Sequence, residues 1–207
     1  ASQQMAGPRP LPLLLDLVSR AAVSDPNLAS AALQGLARYQ QAPRGNNRQH
    51  RPVVSAVGPS ALRDCGGTGL PIVLIPSLIN PPHILDLDAD VSLARALSPC
   101  GRVMLLDWGP ASARPYSVGD HVTQLLVPLL QTVGEGAVLI GYCLGGTMAL
   151  AAAEAAGARG VVTLASPWRF SAYPRDALGK LSALWQAAEA AARQLGVLPM
   201  EVLQGAF

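Results

Sequence analysis

Ala137-Val138-Leu139-Ile140-Gly141-Tyr142-Cys143-Leu144-Gly145-Gly146-Thr147 holds the most structural information in this chain of 207 residues. The apolar run from Ala137 predicts a buried strand over Ala137 to Tyr142, and the alanine-rich continuation predicts a helix over Gly146 to Ala156. Between them the chain must turn sharply, with the Cys143 thiol at the apex. Gly141 and Gly145, two residues to either side, are expected where a Cβ would strike a neighbouring strand or helix. A helix starting just after Cys143 aims the positive end of its dipole at the sulfur, which favours a thiolate. With 20 glycines and three cysteines in the chain, a G-x-C-x-G pattern arises by chance only about 0.03 times. The two readings of Cys143 are a cysteine nucleophile and a buried structural thiol on a glycine-rich turn.

Composition narrows the field. Half of the residues are apolar and 14% are charged, with a mean hydropathy of +0.31, so the chain can bury a sizeable core and is not of disordered type. A net charge of +2 without blocks of like charge, and 4% aromatic residues, argue against nucleic acid and against an anionic membrane surface. Cys65, Cys100 and Cys143 are odd in number and widely spaced. They read as reduced thiols of a cytosolic protein, with no disulfide framework and no metal site. Leu11 to Leu15 is too short for a secretory signal. The uncharged stretch Gly136 to Ala153 is better read as a buried strand and helix than as a membrane span, so no transmembrane segment is expected.

Along the chain, Leu11 to Arg20 and Asn27 to Tyr39 are expected to be helical, the second after the start signal Ser24-Asp25-Pro26. Pro43 to Arg51, with Arg44, Arg48 and Arg51, reads as an exposed linker, the alternative being a phosphate contact. Val53 to Val57 and Ala61 to Arg63 flank Gly58-Pro59-Ser60 as a hairpin. Cys65-Gly66-Gly67-Thr68-Gly69 precedes a strand rather than following one, so it reads as a turn and not a phosphate cradle. Strands are expected at Pro71 to Pro76, Arg102 to Asp107 and Gly160 to Ala165. Helices at Asp90 to Leu97 and Val118 to Thr132 separate them, with a kink at Pro128. This alternation predicts a parallel sheet covered on both faces. Asp176 to Leu195 is expected to be helical.

Three segments extend the signal of the turn. Pro71-Ile72-Val73-Leu74-Ile75-Pro76-Ser77-Leu78-Ile79-Asn80 runs on to Ile84-Leu85-Asp86-Leu87. Val103-Met104-Leu105-Leu106-Asp107-Trp108-Gly109 follows, and then Gly141-Tyr142-Cys143-Leu144-Gly145-Gly146-Thr147. In this order and spacing, from about Pro71 to Trp168, they resemble the polyhydroxyalkanoate (poly-3-hydroxybutyrate) synthases, in which cysteine replaces the serine of a lipase box. The resemblance implies an α/β-hydrolase-like fold, with a mostly parallel sheet flanked by helices, incomplete at the C-terminus. It implies residues 1–50 as a helical extension and linker, 51–168 as the hydrolase-like core with the nucleophile elbow, and 169–207 as the start of a helical cap. It also implies a 3-hydroxyacyl group carried from coenzyme A onto Cys143 and a growing polyester chain. The oxyanion would be held by the backbone N–H of Leu144 and by one from the loop of Ser77, Leu78 and Ile79. The substrate is then 3-hydroxyacyl-CoA, with no cofactor or metal, and the partner a second copy or a second synthase subunit. The location would be cytoplasmic, at the surface of storage granules.

The chain departs from that family in one respect. Nucleophile, acid and histidine follow each other in chain order in α/β hydrolases, yet His50, His83 and His121 all precede Cys143. No residue here matches the family's Asp and His, and the expectation is a synthase truncated before them and inactive alone. His83 and His121 read as surface or cap-packing residues, Asp107 as a structural acceptor, and Ser77 and Ser166 as serines without an elbow. Two other functions fit the same residues: a thioesterase or polyester hydrolase, and a non-catalytic granule-associated module.

Overall fold

The computed structural model describes residues 11–42, 51–110, 113, 115–196 and 202. The chain divides into two compact units, residues 46–172 and residues 1–45 with 173–207. The second holds helices α1 (Leu11–Ser24) and α2 (Pro26–Gln41), which pack on each other, and a C-terminal helix, Arg175–Leu195. Asp25 caps α2 by accepting from the N–H groups of Asn27 and Leu28, with Pro26 at the first helical position, the start signal read from the sequence.

Residues 46–172 build a six-stranded sheet in the order β1-β2-β4-β3-β5-β6. Its strands are β1 (Val53–Val57), β2 (Ser60–Gly66), β3 (Pro71–Ile75), β4 (Arg102–Asp107), β5 (Val138–Tyr142) and β6 (Gly160–Leu164). β4, β3, β5 and β6 run parallel. The sheet is nonetheless mixed. β1 and β2 form the expected hairpin, and β2 then pairs antiparallel with β4. Only residues 67–70 join β2 to β3, too few to carry the chain back across the sheet, so β2 runs opposite to β3 and to β4, which is parallel to β3.

The central strands are buried on both faces because their side chains alternate between two cores. Val73, Ile75, Met104, Leu106 and Leu139 face one, packed with Leu125, Leu126, Leu129, Met148 and Ala149. Ile72, Leu74, Val103, Leu105 and Ile140 face the other, with Leu85 and Ala94. β6 departs from the expected two-sided cover. Val162 is 45% exposed and Thr163 is exposed, as befits a strand paired only with β5 among the described residues.

The helices differ from expectation in instructive ways. α3 is only Leu93–Leu97, because Asp88 accepts from the N–H groups of Asp90 and Val91 in a side-chain turn. Ser92 then caps the helix through Arg95 N–H. Where a kink was expected at Pro128, α4 (Val118–Asp120) and α5 (Val127–Gln131) are joined by a π-helix over His121–Leu126. Pro128 has no N–H, and its ring crowds the carbonyl four residues back, so widening the preceding turn relieves both problems. α6 (Leu144–Ala152) begins directly after Cys143, as the dipole argument required, and two residues before the start read from the alanine-rich pattern.

Two further readings are corrected. Arg51, expected in an exposed linker, is largely buried. Its Nε and Nη2 donate to the two oxygens of Asp86 at 2.9 and 3.1 Å, and Ser92 Oγ donates to the same carboxylate at 2.6 Å. Arg44, Arg48 and His50 lie outside the described residues. Of the two readings of His121, surface or cap-packing residue, the first is wrong: it is buried, 3% exposed, directly after the capping box formed by Ser117 and Asp120.

Candidate active site

Cys143 stands between the end of β5 and the first residue of α6, with φ 53° and ψ −129°. A residue with a Cβ rarely adopts such a backbone, and doing so costs free energy that the surroundings must supply. The surroundings are visible. Cys143 N–H donates to Leu164 O of β6 at 2.8 Å, and Gly146 N–H donates to Cys143 O at 2.9 Å, closing the turn on both sides. The thiol is half-buried. Among the described residues, none hydrogen-bonds to its Sγ, and no cluster of three or more His, Cys, Asp or Glu is arranged to hold a metal ion.

The glycines make the turn sterically possible. A Cβ on Gly141 would lie 2.3 Å from Gly146 Cα, and one on Gly145 would lie 2.2 Å from Ile75 O and 2.6 Å from Pro76 O. Gly145 therefore lets α6 rest directly on the end of β3. Gly146, to which the sequence reading assigned no role, faces Ser166, whose Oγ would be 1.8 Å from an added Cβ.

The loop after β3 lies against the turn through Gly145. Ser77 is fully buried and accepts the Ile79 N–H on its Oγ at 3.3 Å. Leu78, Ile79 and Leu144 are all half-buried. Leu144 is the first residue of α6, and the N–H groups of a first helical turn have no carbonyl partner within their helix. Leu78, Ile79, Leu144 and Cys143 thus come from two segments that touch at Gly145.

A third segment joins them, one whose role the sequence did not disclose. Trp108, 2% exposed, follows β4 and donates its indole N–H to Pro76 O at 2.9 Å. Its own carbonyl accepts from Ser60 Oγ at 3.0 Å. The His121 ring meets the indole edge-to-face at 5.6 Å, and Tyr116 meets His121 in the same way at 5.7 Å. Asp107 accepts from Arg63 Nε at 2.9 Å and from Gly109 N–H at 3.0 Å, which accounts for it structurally. His83 lies in a 3-10 turn over Pro82–Leu85.

The other thiols are set apart by environment. Burial pushes the Cys65 thiol up to about 11, which keeps it protonated and inert. Cys100 is exposed on the turn after α3. Burial also raises the Asp86 carboxyl, but hydrogen bonds from Arg51 and Ser92 and the Arg51 charge outweigh it and hold the group below its ordinary value.

No family model matches the chain. Over 89 residues it is 37% identical to the poly(3-hydroxyalkanoate) polymerase subunit PhaC of Haloferax mediterranei, a match covering 39% of this chain and 18% of that protein. It is 35% identical over 89 residues to the PhaC of Haloarcula marismortui, covering 39% of this chain and 19% of that one. The match thus spans less than a fifth of the length of either relative. Among solved structures, an AqdC variant, described as recognising and cleaving the ring of the Pseudomonas quinolone signal, superposes with a TM-score of 0.51. It is 17% identical over 65% of this chain and 52% of that one. An α/β hydrolase from Sphaerobacter thermophilus superposes with a TM-score of 0.46 at 20% identity, over 74% of this chain and 64% of that one. The chain has an α/β-hydrolase fold and, over those 89 residues, is similar in sequence to the polyhydroxyalkanoate polymerase subunit PhaC.

Proposed function

We propose that Cys143 is the acyl acceptor of a polyhydroxyalkanoate synthase, and that this chain supplies its nucleophile-bearing portion. The observation that carries the reading is the left-handed Cys143 backbone at the β5–α6 turn, braced by a glycine packed on the end of β3. A strained turn is kept where something requires the side chain to stand clear of the sheet. The likeness to PhaC supports the substrate class.

On this reading the Cys143 thiolate attacks the thioester carbonyl of a 3-hydroxyacyl-CoA. The carbon–sulfur bond to coenzyme A breaks, coenzyme A leaves as a thiolate and takes up a proton, and the acyl group rests on Cys143. Exchange of one thioester for another is nearly isoenergetic, which suits a thiol better than a hydroxyl. A chain-end hydroxyl then attacks the Cys143 thioester, its proton passing through a general base to the departing sulfur. No described residue is assigned as that base. The oxyanion is met by the Leu144 N–H at the start of α6 and by a donor of the β3 loop. Ile79 has already committed its N–H to Ser77 Oγ, which leaves the N–H groups of Ser77 and Leu78 as the loop's donors. The same reading sets the protein in the cytoplasm at the surface of storage granules, with a second copy or a second synthase subunit as partner.

The test uses the chain with 3-hydroxybutyryl-CoA at about pH 8.5, where an ordinary thiol is half ionised. Peptide mapping by mass spectrometry should find one 3-hydroxybutyryl group on Cys143, absent from Cys143→Ala. Absence of the adduct from the unsubstituted chain refutes the reading. Turnover to free 3-hydroxybutyrate without polymer, in the complete protein, points instead to a thioesterase.

A further inference from the structure

We infer that Trp108 is a positioning residue for the oxyanion site. Its indole N–H, hydrogen-bonded to Pro76 O, sets the orientation of the peptide that leads into the Ser77-Leu78-Ile79 loop. The inference rests on the reading of Cys143 as an acyl acceptor.

The peptide linking Pro76 to Ser77 is planar, so pinning the Pro76 carbonyl fixes the direction of the Ser77 N–H at its other end. That peptide is held from two sides. Trp108 donates to its oxygen at 2.9 Å, and Gly145 approaches so closely that a Cβ there would stand 2.6 Å from the same oxygen. The first contact governs the loop and the second ties it to the helix that carries Leu144. One carbonyl therefore sets where the donor loop, beginning with the Ser77 N–H, starts relative to the helix that carries the Leu144 N–H. An oxyanion site works only when its donors are already aimed at the position where charge develops, so the hydrogen bond acts on transition-state charge and not on the nucleophile.

Trp108 is well held for this task. Its carbonyl accepts from buried Ser60, and its ring is flanked edge-on by His121. His121 is the first residue of the π-helix, and its Nδ1 lies 2.8 Å from Ser117 O. The widened turn thus places a rigid, buried ring against the indole, and segments tend to keep π-turns where geometry matters. Phe at 108 would fill most of the space but leave the buried Pro76 carbonyl without its donor.

Two reactions of the same sulfur separate positioning from structure. Acylation by a thioester passes through an oxyanion, whereas alkylation by iodoacetamide is a displacement at saturated carbon and does not. The full chain carrying Cys100→Ser, which removes the exposed thiol, serves as the reference. Trp108→Phe should slow acylation of Cys143 by 3-hydroxybutyryl-CoA at least about tenfold, a fraction of the loss seen when an oxyanion donor is deleted. Iodoacetamide labelling should stay within about twofold. Since Trp108→Phe risks disturbing the core, a second variant places benzothienylalanine at 108, which keeps the bicyclic ring shape and replaces the N–H by a sulfur that cannot donate. It should show the same split. Equal acylation by reference and benzothienylalanine variant overturns the inference, as does a parallel loss of acylation and alkylation. A reference chain that alkylates at Cys143 but never acylates refutes the acyl-acceptor reading itself, and the role of Trp108 falls with it.

Discussion

Cys143→Gly should stabilise the hydrolase-like unit relative to Cys143→Ala, although glycine is ordinarily the less stabilising of the two. Both substitutions delete the half-buried thiol, so its packing cancels from the comparison. What differs is the Cβ at φ 53°, ψ −129°. A backbone in that region costs a side-chain-bearing residue about 1–3 kcal/mol, and alanine retains the cost while glycine does not. Against this, glycine has more freedom to lose on folding, about 0.5–1 kcal/mol. The difference leaves glycine ahead by roughly 1 kcal/mol, or about 4 °C in melting temperature for a unit of this size. Urea unfolding of both variants, with calorimetry to place the transition, measures it. Ala165, at φ 49° directly after β6, is an internal control outside the proposed chemistry, and Ala165→Gly should gain by the same mechanism. If Cys143→Ala equals or exceeds Cys143→Gly in stability, the turn is not strained as described, and the case for a side chain held clear of the sheet loses its main physical support.

Gly145→Ala should destabilise the same unit by about 3 kcal/mol, since the new methyl would meet two backbone carbonyls of β3 and its loop, at 2.2 and 2.6 Å, and neither can swing aside. An unfolding midpoint unchanged from that of the parent chain would contradict the close approach of α6 to β3. Arg51→Met should cost about 3 kcal/mol at neutral pH by leaving the Asp86 carboxylate buried without its bidentate partner. Because the Asp86 carboxyl is held below its ordinary value when folded, the pair's contribution is complete above about pH 4 and is lost as pH falls through the folded value. The gap between parent and variant should therefore narrow in acid unfolding series, and a gap constant with pH would exclude the ion pair as its source.

Much of this fold was legible because its central strands are buried on both faces. Continuous apolar runs such as Ile72 to Ile75 and Val103 to Leu106 have few other uses in a short segment. Their order in the sheet was less legible. The pairing of Ala61 with Asp107 and of Leu62 with Leu106 joins residues far apart in sequence, and no local pattern announces it. The same holds for Arg51 and Asp86, separated by 35 positions, where local polarity pointed to a solvated linker and a distant carboxylate decided otherwise. Trp108 belongs here too. It was legible as part of a motif, but its hydrogen bond to Pro76, 32 residues away, is a property of the folded chain alone.

The start of α6 shows the most informative conflict between levels. Helix propensity sets Gly145 and Gly146 against helix, each by about 1 kcal/mol relative to alanine, and the alanine-rich pattern placed the helix from Gly146 to Ala156. It begins at Leu144, with both glycines inside its first turn and both buried. Packing overrides propensity: at Gly145 a Cβ would be driven into the carbonyls of Ile75 and Pro76, and at Gly146 into Ser166. Alanine, the best helix former, is excluded from the two positions where propensity would most favour it. Such a sacrifice of local preference is expected where geometry serves a function rather than stability. Here the sacrifice brings the first turn of a helix, a loop after β3 and a strained cysteine together around one point.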